Sequence, residues 1–213
     1  MLQPPGDRLG EQRPEHGGRE SVRRRGGHRL PGTGDSILIT AAAGRIGSLL
    51  VQRAKAAGAG TVVGAVGGPA KAAAAAEFGA DVVVDYHAAD WVAKVKEATG
   101  RGADVTLDAV GGENGAQALE ATANGGGRFG LYGFTSGTWV ELDAHQIGRR
   151  GITIVGALGI TFAKPAEEQR ADAAEALKAA SAGQLVPRIH GSFPLDRRDN
   201  RPDLWPRPAG HRR

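Results

Sequence analysis

The sequence predicts a doubly wound α/β domain, a six-stranded parallel sheet with helices on both faces. Three observations carry this. From Ser36 onward, short β-branched runs alternate with Ala-rich stretches of helical length. The runs are apolar at successive positions, as strands covered on both faces must be. The first run also leads straight into a glycine-containing turn and a helix, which is how a doubly wound domain begins.

The elements follow in order. Ser36–Thr40 (SILIT) is the first strand, and residues 45–57 are the first helix. Thr61–Val66 is a strand, 70–78 an Ala-rich helix and 81–85 a third strand. A helix over 90–99 precedes a strand over 103–107, and a helix over 113–123 precedes the strand RFGLY at 128–132. Residues 152–156 make a sixth strand, and 165–182 a long last helix. Six strands in βα order predict the Rossmann arrangement 3-2-1-4-5-6.

Outside this region the texture changes. Residues 1–33 are rich in Arg, Gly and Pro, and from Arg197 to Arg213 the chain repeats that bias, with Pro202, Pro206 and Pro208 breaking any helix. Such segments bury too little apolar surface to offset their ordering entropy and are expected to stay disordered. The expected layout is therefore a tail over 1–33, a cofactor domain over 34–195 and a basic tail over 196–213. The tails carry +3 each of the chain's +4, which leaves 34–195 at −2. The high pI thus describes the tails, and without interleaved aromatics they predict no nucleic-acid partner.

The sequence has no cysteine, which removes disulfides and thiolate zinc sites. No apolar run reaches the length of a membrane span, and no apolar segment follows the charged N-terminus as in a secretory signal. A cytoplasmic location is the default expectation.

The chemistry starts at the first turn, Ala41-Ala42-Ala43-Gly44-Arg45-Ile46-Gly47. Gly44 lets the backbone approach a pyrophosphate, and Gly47 lets the helix pack closely on the strand. The N–H groups of the first helical turn then face the phosphates, aided by the helix dipole. Ala43, Gly44, Arg45 and Ile46 are the candidate contacts. Ala42 stands where the general fingerprint has its first glycine. The alternative is a purely structural turn, common in a chain with 34 glycines.

Charge argues for the cofactor. An NAD site places an acid near the end of the second strand for the ribose 2′-hydroxyl. Here no acidic residue occurs between Asp35 and Glu77, and Lys71 follows the Gly67-Gly68 turn. A lysine attracts a 2′-phosphate that a carboxylate would repel, so NADPH is expected over NADH. The alternative role for Lys71 is to solvate the start of an Ala-rich helix. The turn Asp108-Ala109-Val110-Gly111 follows the fourth strand, where ligands collect in open α/β sheets.

Several segments, in this order, resemble one family: GDSILITAAAGRIGSLLVQRAKAAGA, GAVGGPAK, EFGADVVVDY, GRGADVTLDAVGG, GGGRFGLYGFTSG and GQLVPRIHGSFPLD. Together they are similar to the cofactor domain of the medium-chain dehydrogenase/reductase superfamily, in its zinc-free quinone oxidoreductase (zeta-crystallin-like) branch. That branch uses an AxxGxxG turn, which Ala41, Gly44 and Gly47 match. Arg45 departs from it, standing where a small residue is usual. The resemblance implies that Gly67 and Lys71 contact the adenosine 2′-phosphate, and that Tyr86 lies beside the adenosine ribose. The other role open to Tyr86 is an aromatic lid on a strand end. Ala109 and Val110 of that fourth-strand turn are candidate cofactor contacts, and Gly133, Phe134, Thr135 and Ser136, after the fifth strand, are expected to line the nicotinamide side. Gly137 shapes that loop, and 157–160 approach the cofactor after the sixth strand.

The implied activity is NADPH-dependent hydride transfer to a small quinone or enone-like substrate. A non-catalytic NADPH-binding module or sensor is the alternative. No metal site is expected, because the histidines, among them His87, His145 and His190, are scattered. No catalytic side chain is assigned, since the cofactor carries hydride chemistry. A homodimer is the implied partner, joined at the sixth-strand region (Ile152 to Val155) by sheet extension, unless the final helix covers that edge. Members of the branch carry a further N-terminal domain ahead of this one. Both tails have the bias of GC-rich DNA read out of frame, so a truncated or mis-framed form of a longer oxidoreductase is expected.

Overall fold

In the structure, a computed structural model that describes residues 33–189, the strand ends carry the site. The strands are β1 (Ser36–Thr40), β2 (Thr61–Val66), β3 (Val82–Asp85), β4 (Val105–Asp108), β5 (Arg128–Leu131) and β6 (Thr153–Gly156). They form one sheet in the order β3-β2-β1-β4-β5-β6, with every neighbouring pair parallel. This is the predicted order.

The register puts β1 at the centre, with Ile37 beside Val62 on one side and Val105 on the other. All five residues of β1 are buried. Side chains alternate between faces along a strand, and two cores result. Leu38, Val63, Val84 and Phe129 point to the face covered by α3 (Trp91–Thr99) and α4 (Gly112–Glu120), where Trp91, Val95 and Leu119 join them. Ile37, Ile39, Val62 and Val66 point to the opposite face, under α1 (Arg45–Ala56) and α2 (Ala72–Glu77), where Val51 and Ala75 pack. Each fully buried Val, Leu or Ile contributes about 1.5–3 kcal/mol. Aromatics being few, small residues let the layers approach: at Gly64 of β2 a Cβ would touch the methyls of Ala42 and Ala80 at 3.0 and 3.2 Å.

Differences from the expected elements are local. The helix expected over 70–78 begins as a 3₁₀ turn, Pro69–Lys71, before α2. Pro69 presets φ for that tight first turn. The helix expected to reach residue 123 stops at Glu120. Thr122 instead bridges Ala103, with Ala103 N–H on Ala121 O and Ala123 N–H on Ala103 O. The same bridge delays β4 to Val105.

Two helices went unpredicted. α5 (Ala144–Arg150) is short, but both its stops are written in the chain. Asp143 accepts the His145 N–H at 2.9 Å as N-cap, and Gly151 closes it at φ +62. α6 (Ala157–Ala163) begins directly after β6 and leaves Leu158, Ile160 and Phe162 exposed. Its apolar residues at every second position imitate a strand. α7 (Ala166–Ser181) is the predicted last helix, with Ala179 its buried residue. The expectations for residues 1–32 and 190–213, His190 included, lie outside the described residues, and 33 alone of the first tail falls within them.

Candidate cofactor-binding site

Because every strand is parallel, the carboxyl ends of β1 to β5 open on one edge of the sheet. The sequence-predicted site residues lie in the turns and first helical turns after those ends, and the expected 157–160 stretch follows β6 as the start of α6.

The first turn is built from backbone. Ala42 N–H donates to Ala65 O at 3.0 Å, tying the turn to β2, and Gly44 N–H returns to Ala41 O at 2.8 Å. Ala41 adopts φ +51, a left-handed conformation that costs an alanine about 1 kcal/mol. Gly47 explains why the chain accepts this. A Cβ at Gly47 would lie 2.2 Å from Ala41 O and 2.8 Å from Ala42 Cα, so only glycine lets α1 dock here. Gly44 caps α1 without any side-chain hydrogen bond, and Gly44, Arg45 and Ile46 are exposed. The first N–H groups of α1 have no partner within the helix, and their end of the dipole is positive. Ala43 is buried.

At the second turn, Gly67 and Tyr86 come together. A Cβ at Gly67 would meet the Tyr86 hydroxyl at 2.5 Å and its ring carbon at 2.9 Å. The Tyr86 ring also stacks edge-on against His87, centroids 4.9 Å apart. Burial, with the Asp85 and Asp108 charges, pushes the Tyr86 hydroxyl above its ordinary value, so it stays a neutral donor. Lys71 is exposed on the 3₁₀ turn, its N–H bonded to Gly68 O.

One group here escaped the sequence reasoning. Asp85, at the end of β3, accepts the N–H groups of Gly68 and His87 on the same oxygen, each at 3.0 Å. The His87 N–H bond, with that of Gly68 and the His87 charge, holds this carboxyl below its usual range against some desolvation. An acid absent from the end of β2 is thus supplied by the next strand, where it shapes the loop.

Behind β1 and β4 lies a polar node also missed. Asp108 is fully buried. It accepts the Thr40 hydroxyl at 2.7 Å, Val110 N–H at 3.1 Å and Gly111 N–H at 3.0 Å. Thr40 in turn accepts Ala109 N–H at 2.9 Å. The node sets the β4 turn, and the β5 loop is laced onto it. Thr135 N–H donates to Ala109 O and Ser136 N–H to Val110 O, both at 2.9 Å. The side chains of Ala109 and Val110 are buried, and the Ser136 hydroxyl donates to Thr138 O. Of the six cofactor residues expected after β4 and β5, Phe134, Thr135 and Ser136 are exposed. Phe134 is exposed and packs on Trp139, centroids 4.6 Å apart. Behind this loop the Tyr132 hydroxyl is buried with no hydrogen-bond partner among the described residues, and burial raises it strongly.

A groove of about 630 Å³ between α3, α4 and α5 lies apart from these turns. Among its cations Lys96 pairs with Glu120 at 3.0 Å, Arg101 pairs with Asp104, and Arg150 donates to Leu119 O, Thr122 O and Asn124.

Residues 46–181 match the family model described as zinc-binding dehydrogenase. The chain belongs to that family. Among solved structures, the zinc-binding dehydrogenase domain here is similar to a quinone oxidoreductase from Pseudomonas syringae pv. Tomato DC3000. The identity is 31%, the TM-score 0.65, and the match covers 75% of this chain and 49% of that one. An Escherichia coli quinone oxidoreductase complexed with NADPH matches at 26% identity and TM-score 0.66, over 74% and 48%. A mycobacterial quinone oxidoreductase matches at 29% and TM-score 0.69, over 77% and 50%. The chain spans about half the length of these structures. No curated protein sequence matches it.

The family's name carries zinc, an ion held by Cys, His and carboxylate side chains. Among the described residues no three His, Asp or Glu side chains converge as a metal site, and the sequence has no cysteine. These residues do not fit the ion. Also among the described residues, no helix is long and apolar enough to cross a membrane.

Proposed function

We propose that this chain binds NADPH along the carboxyl edge of its sheet, as the cofactor half of an oxidoreductase. The observation that carries this is the first turn, where Gly47 seats α1 so closely on β1 that the exposed N–H groups of its first turn face the strand edge. A pyrophosphate fits that cradle, with Gly44, Arg45 and Ile46 as its neighbours and Ala43 beneath. The adenosine lies against Gly67 and Tyr86, and its 2′-phosphate meets Lys71. Asp85, held at the end of β3 by the Gly68 and His87 N–H groups, stays ionised, and its charge counts against the 2′-phosphate that Lys71 attracts. The nicotinamide lies over the laced loops, beside Ala109, Val110, Gly133, Phe134, Thr135 and Ser136.

Bound NADPH supplies the hydride, and the acceptor is a quinone or enone-like small molecule. The protein's own part is to hold the ring in place and exclude water on the Phe134 side. The domain extends over 34–195, works without zinc in the cytoplasm, and pairs as a homodimer at β6. Neither nucleic acid nor membrane is its partner.

Titration of the folded chain with NADPH and with NADH, read by reduced-cofactor fluorescence, tests this. Tighter NADPH binding is expected, with Lys71→Ala lowering the preference by about three- to tenfold, the weight of one exposed charge contact. Equal affinities would refute the cofactor choice, and no binding would refute the site. Quinone-dependent NADPH consumption separates an enzyme from a sensor.

A further inference from the structure

After α7 the chain turns at Gly183, φ +71, and runs back across α1. Gln52 of α1 clamps the returning segment. Its amide N–H donates to Val186 O at 3.0 Å, and its Oε1 accepts Val186 N–H at 2.8 Å. One side-chain amide satisfying both backbone groups of a single residue acts like a rung of a β-ladder, and it fixes where the next residues go. Two residues on, the Arg188 guanidinium donates from Nη1 to Ala43 O at 3.1 Å.

We infer that Arg188 is a pyrophosphate-binding residue of the cofactor site, delivered by this returning segment, an inference resting on the cofactor assignment above. Ala43 immediately precedes Gly44, the cap of α1, so the guanidinium stands at the mouth of the turn whose N–H groups face the phosphates. A guanidinium has five N–H donors. Among the described residues Ala43 O is the acceptor that Arg188 has, and the side chain is exposed. The remaining donors form a planar fork suited to phosphate oxygens. Other arginines are held differently: Arg101 and Arg128 pair with Asp104 and Asp35, and Arg150 is surrounded by α4 carbonyls. No acid lies between Asp35 and Glu77, so no side chain of the turn or of α1 offers Arg188 a competing carboxylate.

A pyrophosphate contact is shared by both nicotinamide cofactors, whereas Lys71 serves the 2′-phosphate. The full chain is titrated with NADPH and NADH, and adenosine 2′-monophosphate, which has no pyrophosphate, is measured by competition. Arg188→Gln should weaken NADPH and NADH together by about tenfold or more, the worth of a charge-assisted hydrogen bond. It should leave adenosine 2′-monophosphate unchanged, and Arg188→Lys should recover part of the loss. Thermal melting confirms that the variants are folded.

Weakening of all three ligands alike would mark Arg188 as structural and overturn the inference. Unchanged NADPH affinity in a chain whose wild type binds would overturn the inference alone. A folded wild type that binds neither cofactor would overturn the cofactor assignment and this inference with it.

Discussion

Gly47→Ala is the sharpest test of how the turn is made. The added Cβ would sit 2.2 Å from Ala41 O, 2.8 Å from Ala42 Cα and 2.9 Å from Ala41 C. All three are backbone atoms, so no side chain can swing away. Restoring an ordinary contact requires α1 to retreat from β1 by about 1 Å. That retreat strains Val51 and Ala54, which pack on Ile37 and Ile39. Overpacking of this kind costs about 1–3 kcal/mol. Alanine recovers up to about 1 kcal/mol through its better helix propensity. The expected net loss is about 1–2 kcal/mol, read as a lower urea midpoint at unchanged slope. NADPH affinity should fall at least tenfold, because the first N–H groups of α1 move with the helix. The control is Gly148→Ala in α5, where an added Cβ meets nothing within 4 Å. It should stabilise by about 0.5–1 kcal/mol. A Gly47→Ala protein with the wild-type midpoint and wild-type NADPH affinity would refute the account of this turn.

Further outcomes follow from the same geometry. Asp108→Ala strips three buried donors of their acceptor and should cost about 3 kcal/mol or more by urea unfolding, while Asp108→Asn, which keeps an acceptor, should cost less. Gly67→Ala should push the Tyr86 ring aside and weaken NADPH binding, and adding Tyr86→Phe, which removes the atom 2.5 Å away, should restore part of it in fluorescence titrations. Asp104 is raised by burial but pulled further down by the Ser36 N–H and hydroxyl and by Arg101, leaving its carboxyl below the usual range. A depressed carboxyl contributes stability above the unfolded value of about 4, lost as pH falls through the folded value. Asp104→Asn should therefore flatten the fall in melting temperature below about pH 4. An unchanged acid limb would show that other carboxylates carry it.

The strands and the first turn were legible in the chain because their causes are local. Ile37, Leu38 and Ile39 are apolar in succession because both faces of β1 are covered, and Ala41, Gly44 and Gly47 have the spacing that a strand-to-helix turn needs. The stops of α5 were equally local, at Asp143 and Gly151, but a helix of seven residues is too short for periodicity to announce. α6 was hidden by an alternation of apolar residues that a strand would also show.

What only tertiary structure decided involves groups far apart in sequence. Thr40 reaches Asp108 across 68 residues, Asp85 supplies to the β2 loop the acid that the β2 stretch lacks, and Arg188 arrives at Ala43 from 145 residues away. No period or spacing encodes such meetings. A parallel sheet sets strand ends side by side regardless of their separation along the chain, and hydrogen bonds between those ends then choose which backbone groups stay free for a ligand.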